Sequence, residues 1–173
     1  MITFQKIRWK NFLSTGDHWS EIDFLGNTTN LVVGTNGSGK STMLDALTFS
    51  LFNKPFRKIN KSQLINATNE KDCVVEVEFT VNNKDYLVRR SIKPNKFDIE
   101  VNGTLLHKES DDRLNQKILE ENILKVNYKS FTQIVILGSS SFVPFMQLST
   151  SNRRDVIEDL LDIRIFSAMN SLI

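Results

Sequence analysis

The 173 residues of the chain predict an α/β fold, and three observations predict it. "CVVEVEFTV" at 73–81 alternates apolar and polar residues, the period of a strand with one buried face. "LVV" at 31–33 is a short apolar run that leads into a glycine-rich loop, as a buried strand would. Beyond that loop the apolar spacing becomes helical, from Ser41 until Pro55 stops it.

Residues 2–9 and 19–24 carry β-branched and aromatic residues in rough alternation, with "STGD" turning between them, and predict two short strands. Asn30–Val33 predict a third, too apolar to face solvent and therefore central. Leu44, Leu47, Phe49, Leu51 and Phe52 mark the helix. Residues 73–107 predict an antiparallel meander: "CVVEVEFTV", "YLVRRSI", "FDIEV" and "TLLH", joined by "NNKD", "KPNK" and the hairpin signal "NG". Residues 110–124 read as helix and "FTQIVIL" at 131–137 as another buried strand. From Ser149, polar cap candidates precede Val156, Leu160 and Ile163 on one face, with Ile157 and Leu161 beside them. The expected organisation is one domain over 1–150 and the start of a longer helix over 151–173. There is no internal repeat.

Bulk properties narrow the function classes. Hydrophobic residues make up 40% of the chain and charged residues 24%, the balance of a water-soluble domain. A net charge of +2 is too small to announce a nucleic-acid binder by itself. No stretch approaches the ~20 apolar residues of a bilayer span. The start is charged throughout, so a cytoplasmic protein with no membrane contact is expected. The only cysteine, Cys73, reads as a buried thiol in a reducing compartment. His18 and His107 lack metal-ligand spacing. Trp9 and Trp19 sit in strand patterns and read as packing residues.

Gly34–Ser41, "GTNGSGKS", fits G-x-x-x-x-G-K-[ST] at every fixed position, with an apolar run before it and a helical run after it. A chance match in a chain of this length is on the order of one per cent, given glycine at ~7% of residues. The chemistry fits a polyphosphate. Glycines let successive backbone N–H groups turn inward and let oxygens approach closely. The helix that follows adds its own N–H groups and positive end. Lys40 is placed to bridge the β- and γ-phosphates as the catalytic cation, Ser41 to ligate Mg²⁺, and Thr42 to donate to the α-phosphate.

"TNGSGKSTMLDAL" resembles the phosphate loop of ABC-type ATPases, especially the branch of SbcC and the structural-maintenance-of-chromosomes proteins. "IRWKNFLSTGDHWSEIDF" at 7–24 is similar to the N-terminal strand pair of that branch. "INATNEKDCVVEVEF", "YLVRR", "FTQIVIL" and "RRDVIEDLLDI" continue the likeness over the whole chain. It is strongest to the large ATPase subunits of recombination endonucleases of T-even-type tailed phages. The resemblance implies the N-terminal lobe of an ABC-type P-loop ATPase head, with a mixed β-sheet, the meander and the P-loop helix. It implies ATP and Mg²⁺ as cofactors, held by Ser14, Thr35, Asn36, Gly37, Ser38, Gly39, Lys40, Ser41, Thr42 and Thr68. A glutamine that helps hold the metal follows a strand in this family. Here "GSSSF" follows, so the role falls to Gln133 or Ser139. Leu13 stands where many relatives carry arginine.

Two elements of the family pattern do not occur: an apolar strand ending in Asp-Glu, and "LSGG", of which "LST" at 148 is a faint echo. The expectation is therefore a fragment, whose coiled coil leads to a C-terminal lobe carrying both and which alone hydrolyses ATP negligibly. The resemblance implies as partners that lobe, a second ATPase subunit sandwiching the nucleotides, a nuclease subunit and double-stranded DNA. It implies an ATP-driven conformational switch in double-strand-break repair, in the host cytoplasm if the gene is a phage's. Arg89, Arg90, Lys93 and Lys96 are the candidate DNA-phosphate contacts, against a reading as a solvated charged face. Arg153 and Arg154 open the last helix at the end less favourable to cations, which fits a partner or simple exposure equally. The rival readings are a RecF-like DNA-binding ATPase without a long coiled coil and the nucleotide-binding domain of an ABC transporter.

Overall fold

Alternation along each strand sets the sheet. The computed structural model describes residues 2–27, 29–106, 112–136, 145–161, 163 and 169, except the side chains of 159 and 160. They form two compact units, 1–116 and 117–173. The first holds β1 (Ile2–Lys10), β2 (Ser20–Asp23), α1 (Thr42–Phe52), β3 (Cys73–Val81), β4 (Lys84–Ile92), β5 (Lys96–Val101) and β6 (Thr104–Leu105). The sheet order is β2-β1-β3-β4-β5-β6, with every neighbouring pair antiparallel. β3 to β6 are the expected meander, its tight turn at Asn102 and Gly103 (φ +49° and +77°) as the dipeptide predicts.

One face of the sheet is apolar: Ile7 pairs with Val77, Val77 with Val88 and Val88 with Ile99, and all four are buried. α1 packs against this unit's core, with Ala46, Phe49 and Leu51 fully buried and the Phe12 and Phe49 rings 5.8 Å apart. Burying a side chain the size of phenylalanine contributes ~2–3 kcal/mol. Asp45, Thr48 and Ser50 are fully buried too, so α1 has almost no solvent side. Thr48 donates back to the Leu44 carbonyl, 2.9 Å, and Ser50 to the Val88 carbonyl, 3.3 Å. Asp45 accepts from the Arg57 backbone N–H at 2.9 Å and from its guanidinium at 2.6 Å.

The expected third strand at 30–33 does not form. Its residues have no regular structure, and Leu31 and Val33 are 88% and 81% exposed. A strand needs a neighbour for its backbone groups, and no strand of the described chain lies along 30–33. The described sheet is consequently antiparallel, not mixed.

The second unit corrects the other apolar run. Residues 128–134 are a helix, α3 (Tyr128–Ile134), following α2 (Asp112–Lys117) and a π-helical stretch, Ile118–Leu124. Asn127 caps α3 by accepting from the Ser130 N–H at 2.9 Å, and Phe131 is buried. The helix satisfies its backbone locally, which a lone strand cannot do. α4 (Thr150–Leu160) begins where expected, with Ser149 before it and Val156 buried, while Ile157 and Leu161 are exposed. Arg153 donates to the Met146 carbonyl at 3.1 Å and Arg154 to Glu158 at 2.6 Å, so both cations are engaged within this unit. His107, Leu137 and Ser139 lie outside the described residues.

Candidate functional site

The glycine-rich loop takes the backbone its sequence calls for. Gly37 and Gly39 have φ of +86° and +90°, a region that L side chains rarely adopt. Ser38 N–H bonds the Thr35 carbonyl at 3.2 Å and Thr42 N–H the Gly39 carbonyl at 2.9 Å. Among the described residues the N–H groups of Gly37, Gly39, Lys40 and Ser41 make no backbone hydrogen bond. Ser41 occupies the N-cap of α1, yet its side chain makes no capping bond. Lys40 Nζ donates to the Gly34 and Thr35 carbonyls, 2.7 Å each. A Cβ built on Gly34 would come 2.5 Å from Ser38 Oγ, so the loop closes tightly at its start.

Beside these amides opens a cavity of about 510 Å³. Asn36, Gly37, Gly39, Lys40, Ser41 and Thr42 form its floor. Leu13, Ser14, Arg57, Gln63, Ile65 and Ala67 also line it. Arg57 is held there by Asp45. Ser14 reaches the loop: its Oγ lies 3.9 Å from where a Cβ on Gly39 would stand. Unpaired amides, a lysine, two hydroxyls and the N-terminus of an 11-residue helix suit a polyphosphate. Fitting a metal is a narrower matter: the Ser41 hydroxyl makes no capping bond and would be the donor, and no group of three His, Cys, Asp or Glu converges as a metal site among the described residues.

The expected site residues do not all gather here. Ser14, Asn36, Gly37, Gly39, Lys40, Ser41 and Thr42 line the cavity. Thr35 contributes its carbonyl to Lys40, and Ser38 lines a separate 220 Å³ cavity with Trp9, Val32 and Val33. Thr68 is exposed and lies outside the lining of the large cavity, its N–H bonding the Asn66 side chain, while Ala67 lines it. Gln133 lies on α3 in the second unit, not after a strand, and its Oε1 is buried without a partner among the described residues.

The cationic candidates also separate. Arg90 is 4% exposed: it donates to the Ser50 carbonyl at 3.0 Å and to Gln116 Oε1 at 2.6 Å, and stacks 3.6 Å from the centre of the Phe97 ring. It faces the core and is not a surface contact. Arg89, on the other face, pairs with buried Glu76, which Arg8 also holds, and this hydrogen bond raises the pKa of Arg89. Lys93 and Lys96 are exposed around the β4–β5 turn. Trp9 is buried with Nε1 unpaired, whereas Trp19 is half-exposed beneath Arg8, 4.9 Å from its ring centre.

Sequence reasoning missed Leu13, Arg57, Gln63, Ile65 and Ala67 as cavity residues. Arg57 carried a signal, a buried helix acid twelve residues upstream, but pairing over that distance is set by the fold.

Known proteins with this arrangement are close in sequence. The profile of the AAA domain family matches residues 6–168. The chain is 42% identical over 167 residues to exonuclease subunit 2 of Enterobacteria phage T4, a match covering 96% of this chain and 30% of that protein. It is 26% identical over 165 residues to the DNA double-strand break repair Rad50 ATPase of Thermoplasma volcanium, covering 92% of this chain and 18% of the relative. The chain thus spans less than a third of the length of these curated relatives. In fold it is similar to an Smc head domain with an extended coiled coil, solved bound to the C-terminal domain of ScpA and derived from Pyrococcus furiosus. The TM-score is 0.70 at 23% identity, covering 99% of this chain and 44% of that one. With its amide-lined loop, an ATPase-head fold and a profile match over almost its whole length, the chain belongs to the AAA domain family.

Proposed function

We propose that this chain is the N-terminal lobe of an ATPase head that binds ATP with Mg²⁺ in the 510 Å³ cavity, as part of a longer repair or recombination nuclease protein acting on double-stranded DNA ends. The observation that carries the reading is the set of N–H groups at Gly37, Gly39, Lys40 and Ser41 that bond no backbone carbonyl at the mouth of α1. Gly37 and Ser41 are exposed and Gly39 and Lys40 only partly covered, so these amides are open to an incoming phosphate oxygen, a charged acceptor better than water. Lys40 adds a mobile positive charge next to that set, its present partners being neutral carbonyls that a phosphate outcompetes. Ser41 holds the metal, which when bound neutralises charge on the phosphates.

Hydrolysis requires a water-positioning carboxylate that the described residues do not bring to this cavity, so the chain binds without appreciable turnover. A C-terminal lobe supplies it. Exposed Leu31 and Val33, together with the unpaired Trp9 Nε1 beside the 220 Å³ cavity, support a surface that this lobe covers. The phage exonuclease subunit and the Rad50 ATPase, by their names, support a nuclease partner and DNA as substrate. A second head closing over the nucleotide supplies the switch, since ATP binding the closed dimer more tightly shifts the population toward it. Lys93, Lys96 and the outer rim of Arg89 are the DNA-phosphate contacts that burial leaves accessible. The complex works in the cytoplasm.

Calorimetric titration of the chain with ATP and Mg²⁺ tests the reading. One saturable site with no phosphate release over hours is expected. No binding at millimolar ATP overturns the site, and steady turnover overturns the dependence on a second lobe.

A further inference from the structure

The Leu13–Ser14 and Ile65–Ala67 segments that line the nucleotide cavity are joined by a short backbone bridge and, beyond it, by one central side chain. Asn66 is 8% exposed, and all four hydrogen-bonding positions of its carboxamide are filled. Its Nδ2 donates to the Leu13 and Thr15 carbonyls, 3.1 Å each, and its Oδ1 accepts from the Thr68 and Asn69 N–H groups, 3.0 Å each. Two carbonyls on one side and two N–H groups on the other also fix which way the amide points. A second layer backs it: Asn66 N–H bonds the Asn11 carbonyl at 2.9 Å, and Asn69 Nδ2 donates to Asn11 Oδ1 at 2.6 Å. Besides these, the isolated bridge of Phe12 with Ile65, a 2.6 Å bond from Leu13 N–H to the Leu64 carbonyl and a 3.3 Å bond from Asn11 Nδ2 to the Asp72 carbonyl join the loops.

The wall so held is strained. Asn11 and Leu13 have φ of +49° and +54°, a region that non-glycine residues occupy only when their surroundings hold them. The Asn66 amide grips Leu13 and Thr15 on either side of Ser14, whose hydroxyl reaches toward Gly39. We propose that Asn66 is a positioning residue: it clamps the Leu13–Ser14 wall at a fixed distance from Ile65 and Ala67 and so shapes the part of the cavity that takes the nucleoside end of the nucleotide. The inference rests on the nucleotide reading above but concerns a different half of the site. No bond of the Asn66 side chain goes to the phosphate loop itself.

The experiment compares two probes on the 173-residue chain. ATP with Mg²⁺ touches both halves of the cavity, whereas inorganic tripolyphosphate with Mg²⁺ touches only the phosphate loop. Asn66→Asp keeps the size and the acceptor but turns a carboxylate oxygen toward the two carbonyls. Expected is an ATP affinity at least tenfold weaker with tripolyphosphate affinity changed less than twofold. Asn69→Ala, which cuts only the second layer, is expected to weaken ATP two- to fourfold with the same selectivity, and it decides the matter should Asn66→Asp not fold. Unchanged ATP affinity in the folded variant, or equal loss for both probes, overturns the clamp. A wild-type chain that binds neither probe overturns the nucleotide reading and the clamp with it, a result distinct from the other two.

Discussion

At Gly37, Gly39, Lys40 and Ser41 the backbone N–H groups bond no carbonyl, whereas the loops at 11–15 and 66–72 bond eight of theirs. Asn11, Leu13, Thr15, Asn66, Thr68, Asn69, Glu70 and Asp72 each donate a backbone N–H to a carbonyl or to the Asn66 side chain. The first loop also relies on glycine at positive φ, and the second holds asparagine, leucine, glutamate and aspartate there. The contrast teaches how a site divides labour. A loop with open amides is completed by what arrives, and a loop with satisfied amides is finished beforehand and serves as a gauge of shape.

The largest expected effect falls on the open loop. Lys40→Ala should weaken ATP binding at least a hundredfold, about 2.7 kcal/mol. The thermal midpoint should not move, because the bonds lost go to carbonyls of an exposed loop. Calorimetry and a melting curve on one preparation check both halves of the statement.

Next comes the rim. Arg57→Ala strands the fully buried Asp45 carboxylate and should destabilise the chain by about 2–3 kcal/mol in urea unfolding, while Asp45→Asn should cost less than half of that. The asymmetry follows from Arg57 being nearly half in water. Equal costs would place the pair's energy in packing rather than charge.

Glycine replacement sharpens the comparison directly. Gly39→Ala forces a side chain to φ +90°, costs ~1–2 kcal/mol in the loop and should weaken ATP about tenfold. Gly16 lies in the closed wall with open space around it and no positive φ, so Gly16→Ala should shift stability by less than about 0.5 kcal/mol and leave binding unchanged.

Cys73 gives the smallest effect under ordinary conditions. Burial pushes its thiol up to about 12, well above the range of a free thiol. The fold favours the neutral thiol, so its contribution is complete below pH 9 and is lost as pH rises from about 9 toward 12, at up to about 1.4 kcal/mol per pH unit. Cys73→Ala should remove that slope. At pH 8 the native chain should resist a thiol reagent that labels it in urea.

Much of this was legible in the sequence because the relevant information is local. Period-two alternation located β3, β4 and β5, and the glycine, lysine and serine spacing located the floor of the cavity. Two apolar runs misled. "LVV" and "FTQIVIL" are too short to carry a period, and whether such a run becomes a strand depends on a neighbour that the run itself does not specify. Arg90 was readable and misread: Val88, Arg90 and Ile92 alternate onto the buried face, so the period that found the strand also pointed this arginine inward. Asn66 and Arg57 were out of reach, since what makes them matter is loops and a helix acid brought together by folding.

The bare Leu31 and Val33 have a practical consequence. Greasy side chains held in water next to a glycine-bearing turn invite self-association, so concentrated samples of this chain should cloud with warming and clear with mild detergent. In a cell, making the covering piece in step with this one would keep it out of the hands of the quality-control machinery.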